Sequence, residues 1–305
     1  MLGADCAESY LKSIPTYLKE KNIEILDASI NRIRVLTNSS LEGLYYLKYL
    51  YLADNSIGII EAAAFEHTPS LEVLDLSLNS IREVPPLLPT TLRKLYLAEN
   101  LLESVPLEVA GPSLQYVSLA SSRLSRLPNL GVLPVLQELN LTDNPLERIT
   151  VVELASFCHL ETLLLPDHLL RPHFLASCHC LRLGNWTRYH NIYVSPIFNC
   201  TTPDDLDCET NSTTEVDVYA ACQSSYQEQA VTHWALVGGA ACAVVLCVLL
   251  LTALWRRRWT SRRKRQKRAT TGQANSMAAN NKMDDIDAPQ NNRKLLKDSN
   301  TKPRF

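Results

Sequence analysis

Nine glycines in 305 residues, with no triplet period, exclude a collagen-like chain. No G-x-S-x-G, H-E-x-x-H or phosphate-binding glycine loop occurs, so the common hydrolase, metalloprotease and nucleotide-binding readings have no motif to rest on. The chain is therefore expected not to be an enzyme and to need no cofactor. Met1–Pro15 (MLGADCAESYLKSIP) has neither a basic n-region nor an apolar core, so either the sequence begins late relative to a secreted precursor, which is the favoured expectation, or a later apolar segment must itself translocate the residues before it. Two further absences are local. Residues 256–305 contain no cysteine, and the 21 residues 235–255 contain no charge.

The charge that is present is divided unevenly. A formal net charge of −2 sums residues 1–255, with 15 basic and 28 acidic side chains (−13), and residues 256–305, with 15 and 4 (+11). Between them runs ALVGGAACAVVLCVLLLTALW, whose 21 residues would span about 30 Å as a helix, the thickness of a bilayer core. Trp234 and Trp255 bracket this run, and nine basic residues follow between Arg256 and Arg268. That pattern predicts one transmembrane helix at 235–255 with its C-terminal side cytoplasmic. The sequons at Asn38, Asn140, Asn185, Asn199 and Asn211 all lie before it, as expected of glycosylation on an extracellular segment. Seven of nine cysteines also precede it, which fits an oxidising compartment.

An internal period organises the N-terminal part. The template L-x-x-L-x-L-x-x-N-x-L recurs from Ile23, Leu47, Leu71, Leu92, Leu114, Leu136 and Leu160. Its Asn position is taken by Asn31, Asn55, Asn79, Asn100, Ser122, Asn144 and His168, at spacings of 24, 24, 21, 22, 22 and 24 residues. In each unit the fourth and sixth positions should point inward from a short strand and the third, fifth and seventh outward. The polar residue should satisfy backbone groups where the chain leaves the strand; Ser122 can do so in part, while His168 is expected to mark a decaying last repeat.

Residues 23–170 thus resemble the extracellular typical-class leucine-rich repeats found in Toll-like receptors, neuronal adhesion receptors and small proteoglycans. The resemblance implies an α/β solenoid of about seven repeats with a curved parallel sheet. Residues 1–22, through YLKSIPTYLKEK, are similar to a partial N-terminal cap. Residues 171–222 resemble a C-terminal cap built on Cys178, Cys180, Cys200, Cys208 and Cys222. That cap implies pairing of Cys180 with Cys222, and of Cys178 with Cys200 or Cys208, leaving Cys6 and Cys158 as candidates for an unpaired or intermolecular thiol. A juxtamembrane linker (223–234) and a polybasic, disordered cytoplasmic tail (256–305) complete the expected organisation.

The concave sheet face offers side chains not consumed by packing, and Tyr49, Tyr51, Asp75, Lys94, Tyr96 and Tyr116 cluster there as ligand-binding candidates. A glycan at Asn140, on the same face, would leave the tyrosine-bearing part open. The expected role is recognition of an extracellular protein ligand or co-receptor by a plasma-membrane protein that lacks its own signalling domain. The alternative is an auxiliary subunit that modulates a channel or receptor through its membrane helix. Anionic lipid is the expected partner of the basic run, in preference to nucleic acid. Gly239 and Ala243 have the small-xxx-small spacing that leaves a homodimer open. The Cys and His residues between Cys158 and His190 lack paired C-x-x-C spacing, so no metal site is expected.

Overall fold

The structure is a computed structural model that describes residues 2–19, 21–86, 88–102, 111–197, 199–201 and 213–283, with the side chains of 170, 172, 173, 233–241, 243 and 260–283 outside the description. Cys208 and Asn211 also lie outside it. The chain divides into two units, Met1–Val231 and Thr232–Phe305.

The first unit is built on a nine-stranded sheet. Its strands are β1 (Gly3–Asp5), β2 (Ile25–Asp27), β4 (Tyr49–Tyr51), β6 (Val73–Asp75), β7 (Lys94–Tyr96), β8 (Tyr116–Ser118), β9 (Glu138–Asn140), β10 (Thr162–Leu164) and β11 (Tyr193–Ser195). Two shorter strands, β3 (Val35–Leu36) and β5 (Ile59–Ile60), pair separately. Every pair in the large sheet is parallel and unstaggered, so Ile25, Tyr49, Val73, Lys94, Tyr116 and Glu138 form one column. Seven of the nine strands are those of the expected repeats. The other two extend the sheet from the caps at either end, Gly3–Asp5 onto β2 and Tyr193–Ser195 onto β10.

The leucine pattern explains the core. The middle residue of each repeat strand (Leu26, Leu50, Leu74, Leu95, Val117, Leu139, Leu163) is fully buried, and the residue two later is buried in every repeat from Ala28 to Leu165. Each such leucine contributes about 2 kcal/mol by leaving water, and single repeats have no other place to put them.

The polar position closes each turn. Asn79 Nδ2 donates to the carbonyls of Leu52, Leu76 and Ser77 at 3.0 Å, and its Oδ1 accepts from the Ile57 N–H at 2.9 Å. Asn55, Asn100 and Asn144 repeat this pattern, each reaching one repeat back, and Asn31 reaches Cys6 O in the N-terminal cap. Ser122 keeps the donor half, through Oγ to Leu97 O at 3.0 Å. His168 does not continue the ladder: its Nε2 donates to Leu146 O at 2.7 Å, not to the Leu141 carbonyl that the register assigns to this position, and it lies in a short 3-10 helix (Asp167–Leu170), so the last repeat departs from the pattern as its sequence suggests. Immediately before each of the first six ladder residues the backbone is left-handed, at Ile30, Asp54, Leu78, Glu99, Ser121 and Asp143, with φ between 51° and 57°. No glycine supplies this conformation; the ladder bonds around it hold ordinary side chains there.

Towards the C-terminal end of the array, from the connection between β9 and β10 onward, the architecture changes. α1 (Val151–Ala155) opens on a capping box between Thr150 and Glu153 and leads to buried Phe157 and then Cys158. α2 (Pro172–Leu175), α3 (Cys178–Tyr189), β11 and the start of α4 (Thr213–Met283) form the cap. Its disulfides are Cys158–Cys222 and Cys180–Cys200, and Cys178 is also disulfide-bonded. The expected Cys180–Cys222 pairing, the Cys178–Cys200 alternative and the candidacy of Cys158 as an unpaired or intermolecular thiol are thereby corrected. The reason is geometric: the helix bearing Cys222 lies against the loop after α1, where the Cys158 N–H donates to Cys222 Sγ at 3.0 Å. Cys180, fully buried on α3, meets Cys200 after β11 instead. Cys6 is free and buried.

In the second unit, α4 continues from Thr232 to Met283. The expected linker 223–234 is helical, and residues 256–283, expected to be disordered, are helical as well. Arg, Lys, Gln and Ala are good helix formers, and this stretch has no proline and only Gly272 against it. Among the described residues no helix is long and apolar enough to cross a membrane. Most of the first half of the 235–255 run has its side chains outside the description. In the second half Val244, Val245, Leu246, Val248, Leu249, Leu250, Leu251 and Leu254 are all more than half exposed.

Candidate functional site

The open face of the sheet gathers every candidate binding residue. Tyr49 and Tyr51 flank Leu50 on β4, Asp75 ends β6, Lys94 and Tyr96 flank Leu95 on β7, and Tyr116 begins β8. Because the strands are unstaggered, Tyr51, Asp75 and Tyr96 share one column, and Tyr49, Lys94 and Tyr116 share the other. The Tyr96 and Tyr116 rings lie 4.8 Å apart, tilted by 38°. Ser118 shares this face yet is only 4% exposed, in register with Tyr96 and two residues along its strand from Tyr116.

The phenols respond to their surroundings. Partial burial, followed by Tyr49, Asp75 and Asp27, raises Tyr51 above the ordinary phenol value. Burial and then Tyr116, Asp75, Tyr51 and Glu138 raise Tyr96. Tyr116 is raised by burial and Glu138, against a hydrogen bond from Ser118 that favours the phenolate. All three therefore stay neutral hydroxyls at physiological pH. Asp27 and Asp75 each spend one oxygen on a turn, accepting from the Ser29 and Ser77 N–H groups at 2.9 Å. At the N-terminal rim of the strands the charges are paired: Lys48 Nζ lies 3.0 Å from Glu24 Oε2, which raises the lysine and lowers the glutamate.

This arrangement of parallel strands and Asn ladder matches what comparison with known proteins finds. Residues 21–81 match the family described as Leucine rich repeat. Pig fibromodulin is 36% identical over 141 residues, which is 45% of this chain and 92% of that sequence. The chain belongs to the leucine-rich repeat family. Human lumican is 37% identical over 138 residues, 43% of this chain and 40% of lumican, and bovine fibromodulin is 34% identical over 157 residues, 50% of this chain and 40% of its own length. The similarity covers half of the chain or less in each case, and the chain spans under half the length of the human lumican and bovine fibromodulin sequences.

Within the leucine-rich repeat sheet, sequence reasoning missed the outward residues of the two end strands, Asp5 and Tyr193 above all. A signal for the first was present: Asp5-Cys6-Ala7 parallels Asp27-Ala28-Ser29, and Asp5 Oδ1 accepts from Ala7 N as Asp27 Oδ1 accepts from Ser29 N. Of the glycosylation candidates, Asn38, Asn185 and Asn199 are exposed. Asn140 is half-buried on the open face, its Oδ1 accepting from the Thr142 N–H and hydroxyl. Among the described residues no group of three or more His, Cys, Asp or Glu is placed to hold a metal.

Proposed function

We propose that this leucine-rich repeat protein is a single-pass cell-surface protein whose open sheet face recognises another protein, acting in adhesion or as a receptor or co-receptor. The observation that carries the reading is the placement of four tyrosines in adjacent columns of a face whose side chains are not consumed by the core. Tyrosine offers large, rigid contact area with a polar tip, and such residues anchor interfaces. An extracellular setting is supported by the disulfides and by three exposed sequons. The anchor would be the helix at 235–255. Support for it comes from the uncharged run itself, its exposed second half, and the basic residues that follow, which would meet anionic lipid on the cytoplasmic side. A glycan on Asn140 would limit the partner to the N-terminal part of the face.

The test is surface cross-linking on cells displaying the full chain, comparing it with a Tyr51→Ala, Tyr96→Ala variant. We expect partner capture to fall at least about tenfold with unchanged circular dichroism. Equal capture by a folded variant would remove the open face from the function. Exchange of residues 235–255 for an unrelated membrane helix should leave capture unchanged; loss of capture would favour an auxiliary subunit acting through its helix.

A further inference from the structure

The open face carries a charge imbalance as well as tyrosines. Among the outward strand positions, Asp5, Asp27, Asp75 and Glu138 stand against a single ammonium, Lys94. Their order is more telling than their number. In one column the register runs Asp27, Tyr51, Asp75, Tyr96, so carboxylate and phenol alternate on adjacent strands about 4.8 Å apart. A guanidinium is matched to that alternation, because its plane stacks on an aromatic ring while its fork of N–H groups reaches a neighbouring carboxylate. An ammonium has no plane to stack. The chain already uses this contact internally, where Arg32 lies 4.8 Å over the Tyr10 ring.

Resting on the recognition role above, we propose that this column receives arginine side chains from an extended segment of the partner protein. Each guanidinium lies over Tyr51 or Tyr96 and pairs with Asp27 or Asp75.

The test titrates the full chain with fluorescent hexa-arginine, hexa-lysine and hexa-glutamate peptides, read by anisotropy. Hexa-arginine should bind more tightly than hexa-lysine, and hexa-glutamate should not bind. Asp27→Asn with Asp75→Asn should weaken hexa-arginine at least about tenfold. The fold should survive, because an asparagine amide oxygen can accept the same turn N–H, as Asn140 does in this column. Glu66→Gln with Glu83→Gln, an equal change of charge at exposed residues off the sheet, should have no effect. Equal binding of hexa-arginine and hexa-lysine, an unaffected acid-pair variant, or an equal loss in the off-sheet variant would each overturn the proposal. If Tyr51→Ala with Tyr96→Ala abolishes partner capture while the acid pair does not affect hexa-arginine, recognition by the face stands and the arginine assignment fails.

Discussion

From Ile23 to Leu165 the turns of the solenoid repeat the same devices: a buried apolar pair in every turn, a left-handed residue in the first six, and in most an asparagine bonded to the turn before it. Among the described residues from Ser177 to Tyr226 nothing repeats. There the first part of α4 is fastened by the Cys158–Cys222 bond, the Arg182–Glu215 ion pair, Tyr219 edge-on to Trp186, and Tyr226 tilted by 31° against His159 with ring centroids 3.8 Å apart. The array distributes its stability over many small identical contacts, and the cap concentrates it in a few unlike ones. A repeat array should therefore lose structure gradually, and such a cap should lose it when one fastening is removed.

The most severe way to break that contrast is to replace Cys158 and Cys222 together by alanine. The bond spans 64 residues, and loops of that size stabilise by about 4 kcal/mol. Denaturant unfolding should show a loss of that order, and amide exchange should speed up in residues 213–231 while the repeat strands stay protected. Equal loss of protection in the strands would mean that the cap and array are one cooperative unit.

Within the array, Asn79→Ala should destabilise by roughly 2 kcal/mol, because it leaves the buried Ile57 N–H without its acceptor, while the Leu52 and Leu76 carbonyls keep Asn55 and Asn100 as donors. Ser122→Asn should do the opposite and raise stability by about 1 kcal/mol. By the register of the ladder, an amide at 122 would reach the Leu102 N–H as Asn100 reaches that of Ile81. Chemical denaturation of both variants checks the pair; a neutral Ser122→Asn would show that the ladder does not transfer from turn to turn.

The smallest expected effect concerns pH. His190 lies 4.1 Å from Trp186 and 4.4 Å from Tyr219, and burial lowers its value below that of an ordinary histidine. A depressed histidine contributes stability that is present above its unfolded value and is lost as pH falls through its folded value. Acidification below about pH 6 should thus lower the exchange protection factors of α3 and the start of α4 before those of the strands. His190→Phe should abolish that acid sensitivity, and its persistence would place the titrating group elsewhere.

The array was legible because its physics is periodic. Leu50 and Leu74 recur at a fixed distance, so the columns holding Tyr51 and Tyr96 could be read by counting. The cap was not legible in the same way. Which cysteine meets Cys222 depends on where α4 crosses the end of the array, and no spacing along the chain encodes that. Strands β1 and β11 escaped because neither inward pair, Ala4 with Cys6 or Val194 with Pro196, contains the leucine that every repeat keeps in at least one of these positions. The helix beyond Arg256 was missed because polar composition reports the lack of a core and says less about local helix propensity.

The unstaggered register has one more consequence. Since each column crosses the sheet in a straight line, a whole period such as the 21 residues from Asn79 to Asn100 could be excised or duplicated without turning any outward side chain inward. Tyr51 and Tyr96 stand two strands apart, about 10 Å. Repeat number thus acts as a ruler with removable divisions, and a lineage could retune the distance between two anchor points by copying or deleting a turn of chain while every residue at those points stayed the same.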